Sequence, residues 1–168
     1  MRIRAATVDD AAQIAGVHVA AWQAAYRGLI PDAIRDGLSI KDRAERWREI
    51  LKPSAGITFI GGTGKVVTGF CNLIPSRDNE PGSKAVGEIA AIYVHPVHWR
   101  AGTGRKLCER ALREAQKWQC KSVTLWTLST NTPAIRFYEA MGFVPDGATK
   151  MEWLKDFKIH EIRLRIHV

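Results

Sequence analysis

A glycine-bearing turn near the middle of the chain has the composition of an anion-binding site. It reads Trp-Arg-Ala-Gly-Thr-Gly-Arg from Trp99 to Arg105, after an apolar segment that ends at His95 and before a helical one. The first N–H groups of a helix have no partner inside the helix, and glycine lets the main chain approach a ligand closely. A strand that leads through such a turn into a helix is typical of phosphate binding. The sequence therefore predicts that this turn binds phosphate.

Two common nucleotide motifs do not fit the chain. The dinucleotide fingerprint requires a third Gly or Ala at position 107, shortly after the turn, and this chain has Leu107 there. The Gly64-Lys65 pair resembles part of a P-loop, but Val66 replaces the required Ser or Thr, and Phe59 replaces the first Gly. The phosphate-binding turn therefore belongs to another kind of motif.

Glu88 is the charged residue of an otherwise apolar segment, Val86–Val94. Burial disfavours the charged form of a carboxyl group and makes it a stronger proton acceptor, which suits a general base. The alternative is a glutamate at the start of a strand that faces solvent or pairs with a cation.

The histidines and cysteines do not suggest a metal site or a nucleophile. His95 and His98 have the spacing of two metal ligands, but no third ligand is apparent, so we predict no metal. Cys71, Cys108 and Cys120 are odd in number, lack C-x-x-C spacing and lie in apolar contexts, so we expect buried thiols. There is also no G-x-S-x-G motif.

The composition is that of a globular protein with a basic surface. The chain has 168 residues, 46% apolar and 25% charged, which predicts a single domain over residues 1–168 with a proper core. The net charge of +8 fits a partner that carries phosphate, either a nucleotide cofactor or nucleic acid. The basic residues are spread along the chain, so nucleic-acid binding is the less favoured of the two. No segment resembles a membrane span or a signal peptide, and a cytoplasmic location is expected.

Hydrophobic periodicity and turn residues predict an alternation of strands and helices. The expected strands are Ile3–Ala5, Ile57–Ile60, Val66–Ile74, Val86–Val94, Val123–Leu128, Val144–Trp153 and His160–Val168. Helices are expected after Thr7, after Ser39, after Gly104 and after Asn131. This order predicts an α/β (α+β) fold: one mixed, mostly antiparallel sheet of about seven strands with helices on both faces.

Three segments together resemble the GNAT N-acetyltransferase superfamily. The glycine turn lies in VHPVHWRAGTGRKL, which resembles the acetyl-CoA motif of that family, with its core Gln/Arg-x-x-Gly-x-Gly/Ala. Downstream, NTPAIRFYEAMGF is similar to a second signature, in which an Asn opens a helix that carries a Tyr and ends in Gly-Phe. Upstream, VHVAAWQAAYRGLIPD resembles the substrate-side helices of a large bacterial branch. One departure stands out: the Gln/Arg position holds Trp99, and Arg100 follows it.

The resemblance implies a GNAT-like fold, acetyl-CoA as co-substrate and a defined set of cofactor contacts. The pyrophosphate would be held by the turn, whose residues are Trp99, Arg100, Ala101, Gly102, Thr103, Gly104 and Arg105. The resemblance also implies that the strand at Ile92, Tyr93 and Val94 splays from Val123–Leu128, so that pantetheine lies between them like an added strand. Asn131 would form a hydrogen bond to the pantetheine arm, cap its own helix, or do both.

The same resemblance assigns the chemistry. Tyr138 matches the general acid of the family, since a phenol can give its proton to the departing thiolate; the alternative is a core aromatic beside Phe137. Glu88 lies where some members place their base, although others use a chain of water molecules instead. Trp22 and Tyr26 share a helix face and either line the acceptor pocket or pack the helix on the sheet.

The sequence thus predicts an N-acetyltransferase that passes the acetyl group of acetyl-CoA directly to a primary amine. The alternative is a non-catalytic, regulatory module that binds acyl-CoA. The acceptor is not identified, although the net charge of +8 argues mildly against polyamines. The strands of the C-terminal hairpin could pair across a homodimer.

Overall fold

Seven strands form one mixed sheet in the computed structural model, which describes residues 1–168. The order across the sheet is β1-β2-β3-β4-β5-β7-β6, and every pair is antiparallel except β4–β5. The strands are β1 (Arg2–Ala5), β2 (Ile57–Thr63), β3 (Val66–Pro75), β4 (Val86–Val94), β5 (Ser122–Leu128), β6 (Val144–Leu154) and β7 (Phe157–His167). This arrangement confirms the predicted fold class.

The helices lie where the sequence periodicity predicted them, with one short addition. They are α1 (Ala11–Ala25), α2 (Asp32–Asp36), α3 (Ile40–Ile50), α4 (Thr103–Lys117) and α5 (Thr132–Ala140). The Ser39 hydroxyl accepts the N–H of Asp42 at 3.2 Å and so caps α3 as expected. No helix combines the length and the apolar character that crossing a membrane requires.

The start of β7 was predicted too late in the chain. The strand begins at Phe157, three residues before the expected His160, because Lys155 and Asp156 alone connect it to β6. Lys155 adopts a left-handed conformation (φ 55°) in this turn. A Lys-Asp pair lacks the Gly or Asn that usually marks a two-residue hairpin turn, so the sequence does not reveal it.

Each face of the sheet carries its own apolar core. On one face, α4 buries Leu107, Cys108, Ala111 and Ala115 against β2–β5 and β7, as its periodicity predicted. On the other face, α1 and α3 pack on β2–β4, with Ile14, Trp47 and Phe70 at the centre. Complete burial of a side chain such as Leu107 contributes about 2 kcal/mol.

Two of the three cysteines are buried, and the prediction for the third was wrong. Cys71 and Cys108 are fully enclosed, whereas Cys120 is half-buried because it follows the end of α4 at the edge of the core. Burial raises the pKa of Cys108 to about 12, and it also raises the pKa of Cys71. Thiols held in this state are poor nucleophiles.

β4 and β5 are paired only at their first residues. The parallel register joins Val86 to Ser122, Gly87 to Val123 and Glu88 to Thr124, and the strands diverge beyond that point. On its other side, β4 is bulged: Asn72 faces Ala91 and Leu73 faces Ile89, so the intervening residue has no partner. A bulge bends a strand and increases its twist. The predicted splaying of these two strands is confirmed.

A histidine is part of the core between α1, α3 and the sheet. His18 accepts a hydrogen bond at Nδ1 from the Trp47 indole at 3.1 Å and stacks on Tyr93 with ring centroids 4.9 Å apart. Burial, helped by the positive charges of Arg43 and Arg46, lowers the pKa of His18 to about 3. The folded protein therefore holds this ring neutral.

We expect His18 to make the folded state less stable as the pH falls below neutrality. The unfolded chain protonates this histidine near its ordinary pKa while the folded chain does not, so about 2 kcal/mol of unfolding free energy should be lost between about pH 7 and pH 5. His18→Gln keeps an acceptor for the Trp47 indole, and it should remove this contribution to the dependence of the unfolding free energy on pH. Urea unfolding across the range tests it, with the exposed His160→Gln as control. Equal slopes for His18→Gln and the wild type would contradict it.

Candidate functional site

The divergence of β4 and β5 opens a cavity of about 710 Å³ that reaches from the glycine turn to α1 and α5. Most residues predicted for cofactor binding line it: Ile92, Tyr93, Val94, Trp99, Arg100, Gly102, Thr103, Gly104, Arg105, Asn131 and Tyr138. Tyr26 lines it as well, whereas Ala101, Trp22 and Glu88 do not. The fold thus brings together segments that are far apart in the sequence.

The glycine turn presents unpaired main-chain N–H groups. Arg100 and Gly102 are both left-handed, with φ 61° and 80°, and α4 begins at Thr103. The first helical hydrogen bond runs from the N–H of Lys106 to the carbonyl of Gly102 at 3.1 Å. The N–H groups of Thr103, Gly104 and Arg105 are therefore left free at the positive end of the helix dipole, which favours an anion.

Trp99 ties the turn to the end of β4. Its indole Nε1 donates a hydrogen bond to the carbonyl oxygen of Val94 at 2.6 Å, while the residue remains 46% exposed. This contact joins two parts of the cavity wall, the strand edge and the phosphate-type turn. The sequence singled out Trp99 as a departure from the family pattern but gave no sign of this bond.

The main chain of β4 faces the cavity at alternate residues. The N–H of His95 donates to the carbonyl of Thr68 on the β3 side at 2.8 Å. Because hydrogen-bonding directions alternate along an antiparallel pair, the main-chain groups of Tyr93 also face β3, and those of Ile92 and Val94 face β5. Beyond the paired region these groups of Ile92 and Val94 point into the opening.

The helix α5 forms the opposite wall. Asn131 is buried, and its side-chain oxygen accepts the N–H of Ala134 at 3.4 Å, so the predicted capping role is present. The Tyr138 ring packs edge-on against Phe137 and Phe143 at 5.3 and 6.0 Å between centroids. Burial, and next the neighbouring Tyr26, raise the pKa of Tyr138 above its ordinary value. The phenol is therefore protonated over the whole physiological pH range.

Of the two aromatic residues predicted on α1, one faces the cavity and the other packs the core. The Tyr26 hydroxyl lies 3.1 Å from the Tyr93 hydroxyl, and burial raises the pKa of both phenols. Trp22 contacts Tyr26 edge-on at 4.9 Å and belongs to a small apolar cluster around Ile30 and Leu128. For Trp22 the packing alternative matches the geometry.

A second, smaller cavity adjoins the first. It measures about 460 Å³ and shares Tyr26, Tyr93 and Trp126 with its neighbour. Its charged lining residues are Arg77, Asp78, Glu88, Lys150, Glu152 and Glu161. Among them only Glu88 was singled out from the sequence, because the others come from a loop and from the C-terminal hairpin.

Glu88 is buried as expected, but its carboxylate is paired with an arginine side chain. It is 1% exposed and forms an ion pair with the guanidinium of Arg77. The Arg77 main-chain N–H also donates to Glu88 Oε2 at 2.9 Å. Glu88 therefore opens onto the second cavity as the buried member of an ion pair whose arginine side chain is exposed, and pairing with a cation was the alternative for this residue.

Ion pairs hold the loop that follows β3 over β5 and β7. Arg163 donates to Asp78, Glu80 and Asp146 at 3.0, 2.9 and 2.7 Å. Arg165 donates to Glu80 at 2.6 Å and to Asp146 at 3.1 Å. This network fixes Asp78 at the wall of the second cavity, where it also accepts the Trp126 indole N–H at 3.2 Å.

His95 and His98, which precede the glycine turn, do not belong to a larger ligand cluster. The rings of His95 and His98 lie 6.1 Å apart, and no group of three or more His, Cys, Asp or Glu side chains is close enough to hold a metal ion.

Comparison with known proteins accounts for this architecture. The model of the acetyltransferase (GNAT) family matches residues 19–143. The uncharacterized N-acetyltransferase YuaI of Bacillus subtilis is 28% identical over 97% of this chain and 88% of its own length. An uncharacterized N-acetyltransferase of Archaeoglobus fulgidus is 32% identical over 82% of this chain and 89% of its own.

Solved structures share the fold. The protein yncA of Salmonella typhimurium, solved with its cofactor acetyl-CoA, has a TM-score of 0.72 at 22% identity, over 99% of this chain and 93% of that one. The matched residues 19–143 include the glycine turn and the helix that carries Tyr138. The chain therefore belongs to the GNAT family and is an acetyltransferase.

Proposed function

We propose that this chain transfers the acetyl group of acetyl-CoA directly to a primary amine. The observation that carries the proposal is the opening between β4 and β5, which lies beside the free N–H groups of the glycine turn. Acetyl-CoA supplies an activated acetyl thioester when bound. The residues around the opening would hold it, orient it and move protons.

The glycine turn would hold the pyrophosphate. The free N–H groups of Thr103, Gly104 and Arg105 converge at the start of α4, and Arg100 and Arg105 add positive charge. A side chain at Gly104 would come within 3.4 Å of the Phe137 ring and so narrow the cavity at this point. The arrangement fits a ligand that carries two phosphates.

The edge of β4 would orient the pantetheine arm. The main-chain groups of Ile92 and Val94 that face the opening can pair with its amides as with an added strand. One of the N–H groups would polarise the thioester carbonyl. Asn131 offers an amide on the opposite wall.

Tyr138 would donate a hydrogen bond, and then a proton, to the leaving thiolate. Its raised pKa keeps the phenol protonated, so a donor is always present. A phenol of raised pKa gives up its proton less readily. Tyr138 would therefore first donate a hydrogen bond to the developing thiolate and transfer its proton only when the carbon–sulfur bond has broken. Direct transfer is supported by the state of the three thiols: Cys71 and Cys108 are buried, and the half-buried Cys120 has a raised pKa and lines neither cavity, so no activated thiol is available to form an acyl-enzyme.

The second cavity would admit the acceptor. It joins the first at Tyr26 and Tyr93 and is lined by Glu88, the predicted base. An ammonium group entering from solvent would meet carboxylates there before it reaches the thioester.

The remaining predictions concern the setting of the enzyme. A single domain and a cytoplasmic location stay predictions of the sequence. A homodimer is supported by β6, one of the two edge strands of the sheet, which exposes Val144, Met151 and Trp153.

We expect tight acetyl-CoA binding and amine-dependent release of CoA. Calorimetry should give a micromolar dissociation constant, and a thiol-detecting assay over a panel of primary amines should identify acceptors. Matched alcohols serve as controls and should release no CoA. Binding of acetyl-CoA without turnover of any amine would instead favour the regulatory module.

We expect Tyr138→Phe to lower kcat by about 100-fold with little change in the affinity for acetyl-CoA. The substitution keeps the ring packing and removes only the proton donor, and general-acid catalysis typically contributes a factor of this size. Glu139→Gln, at an exposed position of the same helix, should leave kcat unchanged. An unaltered kcat in Tyr138→Phe would remove the phenol from the mechanism.

We expect Gly102→Ala to weaken acetyl-CoA binding by about tenfold. A side chain at φ 80° is strained by about 1–2 kcal/mol, and relief of the strain would turn the N–H groups of the turn away from the phosphates. Gly64→Ala carries a similar strain (φ 61°) in the β2–β3 turn and is the matched control. Both variants should lose stability, but only Gly102→Ala should lose affinity. Equal affinities would show that this turn does not hold the cofactor.

A further inference from the structure

Glu161 lines the second cavity, beside the end of β5 that has diverged from β4. On β7 it is opposite Leu128, the last residue of β5, and on its other side it is opposite Lys150 of β6. Its side chain shares a face of the sheet with Ile159 and Arg163, two residues away in either direction. This position places a carboxylate in the wall of the second cavity, together with Trp126 and Tyr26, which also line the first cavity.

Among the carboxylates of this cavity, Glu161 has the weakest protein partner. Glu88 is bound by Arg77, and Asp78 accepts from both Arg163 and Trp126. Glu161 contacts only the Lys150 ammonium, at 3.4 Å, and Lys150 lies closer to Glu152, at 3.0 Å. The lone pairs of Glu161 are therefore available to an incoming donor.

Glu161 is also shielded from solvent. Its side chain is 17% exposed, compared with 51% for Glu152 on the neighbouring strand. Burial is the main cause that raises the pKa of Glu161; the Glu152 carboxylate adds to the rise, and the positive charges of Lys150 and Arg77 oppose it. Tyr26, which follows the last residue of α1, lines the same cavity, and the Glu161 charge adds to the rise that burial causes in the pKa of that phenol. A carboxylate with this balance is a better proton acceptor than an ordinary surface glutamate.

We propose that Glu161 is the group that takes the proton from the ammonium of the acceptor. This assignment rests on the proposed function. The first proton moves from the ammonium to a Glu161 oxygen, and the freed amine nitrogen forms its bond to the acetyl carbon. As the carbon–sulfur bond breaks, the departing sulfur takes a proton from the Tyr138 phenol. The nitrogen then loses its second proton, which restores the Tyr138 phenol, and Glu161 returns the first proton to solvent. Glu88 has the pairing role that its contacts with Arg77 indicate.

The charge of the cavity supports a cationic acceptor. Its wall has four carboxylates, Asp78, Glu88, Glu152 and Glu161, against the two cations Arg77 and Lys150, an excess of two negative charges. The chain as a whole carries +8, so this negative region stands out locally. Within a Debye length of the wall, an approaching ammonium is governed by these nearby carboxylates more than by the net charge. The argument against polyamines from net charge therefore does not hold at this site.

A pair of amines of similar size tests the assignment. Ethylamine is almost wholly protonated at neutral pH, whereas 2,2,2-trifluoroethylamine is largely uncharged and needs no base before attack. We expect Glu161→Gln to lower kcat/KM for ethylamine by about 100-fold and for trifluoroethylamine by less than about fivefold. Calorimetry should show that Glu161→Gln binds acetyl-CoA with the same dissociation constant as the wild type. Glu88→Gln, with its folding checked by urea unfolding, should affect both amines alike.

The outcomes separate the two levels of the proposal. If the wild type acetylates ethylamine and Glu161→Gln slows both amines equally, Glu161 orients the acceptor and the assignment as base is wrong. If the selective loss occurs in Glu88→Gln instead, the base is Glu88. If the wild type binds acetyl-CoA and acetylates neither amine nor any member of the wider panel, the proposed function fails and the assignment with it.

A second measurement does not depend on turnover. In protein labelled with ¹³C at glutamate carboxyl carbons, the signal that disappears in Glu161→Gln should titrate above the ordinary range of glutamate. Addition of ethylamine hydrochloride should shift that signal. A titration at or below the ordinary range would overturn the assignment.

Discussion

The incomplete pairing of β4 with β5 is the constraint on which the rest of this molecule depends. In a continuous sheet the main-chain groups of Ile92 and Val94 would bond to the next strand, but here β5 has already diverged. A buried polar group without a partner costs about 1–3 kcal/mol, so such an edge persists only where packing holds the strands apart. The bulge opposite Asn72 and Leu73 bends β4, and the rings of Phe137 and Tyr138 line the space between the strands. The same geometry that leaves hydrogen-bonding groups unused makes them available to an extended ligand.

The two halves of the sheet are covered by different physical means. Over β2, β3 and β4 the cover is apolar, from α1 and α3. Over β5 and β7 it is the loop after β3, held by Arg163 and Arg165 through their carboxylate partners. An apolar cover excludes charge, whereas a cover of ion pairs can leave carboxylates at its margin. The acidic cavity lies at the boundary between the two, because Tyr26 at the end of α1 meets the loop there.

The sequence predicted what depends on local pattern and missed what depends on distant pairing. The bounds of β4 and the buried face of α4 follow from hydrophobic periodicity, and the glycine turn follows from residue type and position. The partner of Glu88 could not be foreseen, since Arg77 lies in a loop without periodicity. Glu161 was missed for another reason: in a strand where charged and apolar residues alternate, the charged positions indicate a solvated face. Here a loop fixed by those same charges covers that face, and only the tertiary structure reveals it.

Trp99 departs from the family pattern at a position where main-chain N–H groups could take over the role of the missing Gln or Arg side chain. If phosphate is held by the N–H groups at the start of α4, the side chain at the Gln/Arg position is free to take another role. In this chain the indole of Trp99 donates to the Val94 carbonyl and fixes the turn relative to the strand edge. That bond uses one of the acceptors that face the opening. A pantetheine arm would pair with both main-chain groups of Ile92 and with the N–H of Val94, while the Val94 carbonyl would share its two lone pairs between the Trp99 indole and the arm. The N–H of Val94 would be the β4 donor nearest the glycine turn.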